Sequence, residues 1–131
     1  MSELDIRKWL SNIEKTIESK DLDQHMDLVS KNVMVYGIPS GQTLNYADWR
    51  ERRINEFEQN LTKDLTHNNL QIKNIGLRRL IFTIEETIDG VNTDMAIVNK
   101  QVILELEQDE QWRVVEETIK DWKFLKGNKT N

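Results

Sequence analysis

Apolar residues recur at i, i+3, i+4, i+7 and i+11 from Ile6 through Trp9, Leu10, Ile13 and Ile17. That spacing draws one stripe along a helix of about residues 3–19, opened by Ser2 and Asp5 as a variant of the capping box. Lys20-Asp21 interrupts the stripe, and Leu22, His25, Met26 and Val29 resume it over a shorter second helix. The β-branched run 32–37 (NVMVYG) reads as a strand entering a turn at Ile38-Pro39-Ser40-Gly41. Asn45 and Asp48 give a second capping signal, and Trp49, Arg53, Ile54, Phe57 and Leu61 mark a third helix over 46–59. Residues 60–66 read as its exit loop. After residue 67 the period changes from 3.6 to 2, with strands expected near 67–75, 78–88, 94–107 and 112–122. Short turns between them favour an antiparallel meander. The order α-α-β-α-β-β-β-β is that of an α+β domain with helices on one face of a sheet. One domain over 1–125 and a polar, frayed tail over 126–131 are expected.

Splitting each expected strand by alternation separates two faces. One carries Leu80, Phe82, Ile84, Glu86, Ile88; Ala96, Val98, Lys100, Val102, Leu104, Leu106; and Val115, Glu117, Ile119. It is the more apolar and is assigned to the helix side. Glu86, Lys100 and Glu117 then interrupt an apolar surface, where an unpaired charge costs several kcal/mol. Two arrangements answer that cost: Lys100 bridges the glutamates as a buried ion pair, or the three groups line a pocket in which a glutamate acts as acid or base. The opposite face, with Ile81, Thr83, Ile97, Gln101, Ile103, Trp112, Val114 and Thr118, is too apolar for plain solvent and too polar for a second core. A homodimer contact through this outer sheet face, or singly scattered surface hydrophobics, accounts for it.

Composition removes several function classes. The 131 residues contain no cysteine, so disulfides, thiolate nucleophiles and cysteine zinc sites are excluded. Two distant histidines make any other metal site unexpected. A net charge of −5 with scattered Lys and Arg is a poor footprint for nucleic acid. Charged residues are 31% of the chain and no apolar run reaches membrane-span length, so a soluble protein is expected, with no membrane partner. The start MSELDIRKWL has no signal-peptide pattern, which points to the cytoplasm.

Several local patterns agree with one known architecture: the helix break at Glu18-Ser19-Lys20-Asp21-Leu22-Asp23, the passage Met26 to Tyr36, His67-Asn68-Asn69-Leu70-Gln71-Ile72, and Gln111-Trp112-Arg113-Val114-Val115. Over about residues 4–122 the chain resembles the nuclear transport factor 2-like superfamily, including its polyketide-cyclase-like (SnoaL-like) members. The resemblance implies helices packed in a cone on a curved, mainly antiparallel sheet of cystatin-like type. It does not choose among isomerases, dehydratases, cyclases, transport factors and assembly domains. Where ketosteroid isomerase, a member of the superfamily, carries its tyrosine, its general-base aspartate and its proton-sharing aspartate, this chain has Ile13, Gly37 and a residue near Val102. The carriers of that enolisation are missing.

The remaining candidates are catalytic His67, Glu117 and Glu86, and ligand-binding Tyr36, Trp49, Arg53 and Lys100. His67 opens the first strand of the meander as a base or orienting group, or as a solvated strand-end residue. His25, on the apolar stripe, reads as a hydrogen-bonded packing residue. Tyr36 and Trp49 flank the turn at 38–41, and Arg53 follows Trp49 at i+4, so the three either grip a planar or anionic ligand or pack as an ordinary amphipathic face. The expected function is binding of a small, largely apolar organic molecule in a cone-shaped pocket. Cofactor-independent isomerase, dehydratase or cyclase chemistry goes with it; a non-catalytic homodimeric binding or assembly module is the alternative.

Overall fold

The computed structural model describes residues 2–90 and 95–125. The tail over 126–131, the turn residues after Gly90 and the capping side chain of Ser2 lie outside what it describes. Three helices, α1 (Ser2–Ser19), α2 (Leu22–Met26) and α3 (Tyr46–Gln59), and five strands, β1 (Val29–Tyr36), β2 (Thr62–Ile75), β3 (Arg79–Gly90), β4 (Met95–Leu106) and β5 (Trp112–Leu125), follow the expected order. The sheet runs β1-β5-β4-β3-β2; β1 is parallel to β5 and the other neighbours are antiparallel.

The stripe of α1 is the heart of the core, since Ile6, Trp9, Leu10, Ile13 and Ile17 are all buried. They pack with Leu80, Phe82, Val102, Leu104 and Val114 of the sheet. Lys20 takes a left-handed conformation that ends α1, and the Asp21 carboxylate accepts the Gln24 amide at 3.1 Å to start α2. At α3 the capping box is complete: Asp48 N–H donates to Asn45 Oδ1 at 2.9 Å, and Asn45 N–H to Asp48 Oδ2 at 3.2 Å.

Three expectations change. Val29 belongs to β1 rather than to the second helix, because its backbone pairs alongside Val114 of β5. Residues 62–66 are strand, not loop: Thr62 and Leu65 are buried and pair with the end of β3. A register shift there spaces the inward residues by three and hides the alternation. Finally, Val114 is the inward residue of β5 and Val115 is not. Leu104 pairs with Val114 but Ile103 with Glu116, so Val115 is an extra residue and the face parity flips across it. A second shift at Lys120 returns Trp122 and Phe124 opposite Val98 and Ala96, on the inner face.

Candidate functional site

A cavity of about 430 Å³ opens between α3, the turn after β1 and the inner face of β3, β4 and β5. Its walls are mostly carbon: Ile38, Leu44, Ile88, Val98, Ile119, and the edge-to-face pair Trp122 and Phe124 with ring centroids 5.0 Å apart. Polar groups enter from two sides. Arg52, Arg53 and Glu56 come from α3, and Glu86, Lys100 and Glu117 from neighbouring strands. The three strand residues share a face because Phe82–Val102–Glu117 is one cross-strand row and Ile84–Lys100–Ile119 the next.

The two arrangements open to the ionisable trio are present together. The Lys100 ammonium donates to Glu86 Oε1 at 3.2 Å and to Glu117 Oε1 at 3.1 Å, and all three side chains are 10% exposed or less. They also line the cavity. Glu86 is engaged at both oxygens, because Oε2 lies 2.9 Å from His67 Nε2. Glu117 has no partner for Oε2 among the described residues, and no side-chain polar atom there is both sealed and unpaired, so that oxygen is open. Burial favours the neutral form of Glu86, but the charge of Lys100 and then the His67 contact reverse this and hold its carboxyl well below the usual range. Burial would also lower Lys100, and the charges of Glu117 and Glu86 raise it instead.

His67 is neither at a strand end nor solvated. It is the sixth residue of β2 and its side chain is 4% exposed. Its other nitrogen, Nδ1, lies 2.7 Å from Glu14 Oε2 of α1. A ring between two carboxylates donates from both nitrogens and is an imidazolium. Burial opposes that charge, but the hydrogen bonds of Glu86 and Glu14 and the charge of Glu86 win, and the pKa is raised. His67 therefore stands behind Glu86 and lines a separate cleft of about 280 Å³ with Arg7, Ser11 and Glu14. Glu14, His67, Glu86, Lys100 and Glu117 form one line of alternating charge from that cleft to the cavity.

Of the expected ligand-binding set, Trp49, Arg53 and Lys100 line the cavity and Tyr36 does not. Val35 pairs beside Glu117 and faces inward, so alternation sends the next residue, Tyr36, to the outer face, 41% exposed. Trp49 Nε1 and Arg53 Nε turn toward buried His25, and Arg53 Nη1 donates to Glu56 at 2.7 Å. Sequence reasoning missed Trp122 and Phe124, although their i, i+2 spacing at the end of β5 was a signal; it also missed Glu14, Arg52 and Glu56, which nothing local distinguishes from solvated helix charge.

The three ketosteroid isomerase positions have structural occupants. Ile13 and Val102 are core residues, and Gly37 has φ +82° with a Cβ site that would collide with the Ile119 carbonyl. No carboxylate side chain fits there. Among the described residues no group of three or more His, Asp or Glu is placed to hold a metal, and no helix is long and apolar enough to cross a membrane. A larger depression of about 580 Å³ lies around Arg113, whose guanidinium is shared by Asp27, Glu107 and Asp109 at 2.8–3.0 Å. The Arg113 charge is answered there by three carboxylates.

No family sequence model and no curated protein matches the chain. Solved structures do. An NTF2-like protein from Shewanella oneidensis superposes with TM-score 0.72 at 18% identity, covering 92% of this chain and 100% of that one. A protein assigned as a scytalone dehydratase from Novosphingobium aromaticivorans gives 0.65 at 10%, covering 98% and 94%. A type 2 hexachlorocyclohexane dehydrochlorinase (LinA) gives 0.64 at 11%, covering 99% and 93%. Proteins of this architecture thus include enzymes alongside others with no stated activity. The chain has the nuclear transport factor 2-like fold.

Proposed function

We propose that the cavity binds a small, largely apolar organic molecule and carries out acid/base chemistry on it without a cofactor, in the class of isomerisation, dehydration or cyclisation. The observation that carries this reading is Glu117: one oxygen is fixed by Lys100 and the other is open within carbon walls. A carboxylate so placed takes or returns a proton at a bound molecule. Lys100, held beside it, offsets negative charge developing on the substrate, and Arg53 does the same from α3. Glu86 is spent on Lys100 and His67, so it and His67 act as positioning residues that hold Lys100 toward Glu117. The dehydratase and dehydrochlorinase among the similar structures agree with chemistry of this kind in such a cavity.

The test is proton exchange. Small cyclic ketones are incubated with the protein in D2O, and deuterium incorporation next to the carbonyl is followed by NMR. Incorporation that falls by about 100-fold or more in Glu117→Gln supports the reading, that being the lower end of what general acid/base groups contribute. Incorporation that is equal in the variant refutes the role of Glu117.

A second reading concerns assembly. Met34 and Ile81 are half-buried apolar residues on the face away from the cavity, in the same cross-strand row as Ile103 and Glu116. A homodimer through this face covers that row, and sedimentation velocity at micromolar concentration tests it; a monomer refutes it.

A further inference from the structure

His25 is fully buried, yet two donors from α3 converge on one of its nitrogens. Trp49 Nε1 and Arg53 Nε donate to Nε2 at 3.1 and 3.0 Å. A nitrogen that accepts two hydrogen bonds carries no proton, so the ring is neutral and its hydrogen sits on Nδ1. Nδ1 is 3.0 Å from Thr16 Oγ1, which accepts that hydrogen and donates its own to the Ile13 carbonyl at 3.0 Å. The tautomer is thereby fixed from α1, two links away from the cavity. A packing histidine needs one satisfied contact at each nitrogen; here the second donor at Nε2 is a cavity-lining arginine.

The consequence falls on Arg53. Its Nε is held by His25, its Nη1 by Glu56, and its guanidinium carbon lies 5.7 Å from the centroid of Trp49. Nη2 has no partner among the described residues and is not sealed. Arg52, the preceding residue on α3, also lines the cavity and forms no ion pair within the described residues. The α3 side of the cavity therefore offers guanidinium donors whose charge is only partly answered. The opposite side offers the aromatic pair Trp122 and Phe124.

We infer that the ligand of this cavity is a small aromatic carboxylate, its carboxylate at Arg53 Nη2 and Arg52 and its ring against Trp122 and Phe124, with His25 as the positioning residue that orients Arg53. The inference rests on the reading that the cavity binds a small organic molecule, and it narrows that reading to one chemical class. An anion with an apolar body matches both walls at once, whereas a neutral apolar ligand leaves the guanidinium donors facing carbon.

The test titrates the full chain, by NMR of its tryptophan indole groups, with sodium benzoate and with benzyl alcohol, its uncharged counterpart. Benzoate is expected to shift the Trp49 and Trp122 indoles and to bind at least about tenfold more tightly, the gain of a charge-assisted hydrogen bond. Arg53→Met lowers the ratio of the two affinities, and the double variant Arg52→Met/Arg53→Met brings it to about one. His25→Phe, which removes the acceptor, lowers the ratio, and His25→Gln, which retains one, restores it. Should the Phe variant fail to fold, Arg53→Met and His25→Gln still decide the matter. Equal affinity for the two probes overturns the carboxylate class and leaves the cavity reading standing. A preference that Arg53→Met leaves undiminished overturns the role of Arg53. If neither probe moves either indole at millimolar concentration, the cavity reading fails and the inference with it.

Discussion

Replacing Lys100 with methionine keeps the length and the apolar stem of the side chain and removes only the ammonium. Two carboxylates then lose the cation that lies 3.1–3.2 Å from each of them. Glu86 keeps His67; Glu117 has no other cationic partner among the described residues. Both side chains are 8% exposed or less, so water replaces little of what is lost. At an effective dielectric of about 20, one such attraction is about 4 kcal/mol, and breaking a buried pair by removing one partner costs about 3–5 kcal/mol. Lys100→Met is therefore expected to lose about 3–5 kcal/mol at pH 7. The loss should shrink by more than about 1 kcal/mol between pH 7 and pH 4.5, because an orphaned buried glutamate takes a proton and sheds its charge. Urea unfolding followed by circular dichroism at both pH values measures this, provided the slope with denaturant is unchanged. The double variant Lys100→Met/Glu117→Gln should regain a large part of the loss. The exposed pair Arg79–Glu105, with side chains 55% and 39% accessible, supplies the contrast: Arg79→Met should cost at most about 1 kcal/mol. A loss below about 1 kcal/mol for Lys100→Met, or one that does not vary with pH, refutes the account of a buried and mutually dependent trio.

The two histidines should respond to pH with opposite sign. His67 is raised in the folded state, so its contribution, about 1–3 kcal/mol for charged hydrogen bonds, is complete below the unfolded value near 6.5 and disappears as pH rises through the folded one. The stability difference between the protein and His67→Gln should then be larger at pH 6 than at pH 10; a constant difference refutes it. His25 is lowered to about 2, by burial first and by Arg53 second, so its stabilisation is present above about pH 6.5 and is lost as pH falls, at up to about 1.4 kcal/mol per pH unit. An NMR titration in which the His25 ring protonates between pH 5 and 7 would overturn the double-acceptor geometry. Gly37→Ala should destabilise by about 2–4 kcal/mol, since both the positive φ and the approach to the Ile119 backbone oppose a Cβ. Chemical denaturation tests it, and a neutral effect would show that the turn after β1 is looser than described.

The sequence alone carries the elements and their order, though not the starts of β1 and β2. A stripe such as Ile6, Trp9, Leu10, Ile13 and Ile17 can be buried only as one helix face, and the Asn45–Asp48 capping box acts within four residues of chain. It also isolated Glu86, Lys100 and Glu117, because a charge amid apolar alternation is visible without coordinates. The tertiary structure decided what those charges do. Strand parity is a sum over the whole strand, so the extra residues at Val115 and Lys120 reversed it twice and delivered Trp122 and Phe124 to the cavity while Val115 left the core. Tyr36 missed the cavity by one step of the same alternation. The pairing of His67 with Glu14 spans 53 positions, and that of Arg53 with His25 spans 28. Nothing in a local window encodes such partners, since hydrogen bonds and ion pairs act over a few ångströms of space, whatever the separation along the chain.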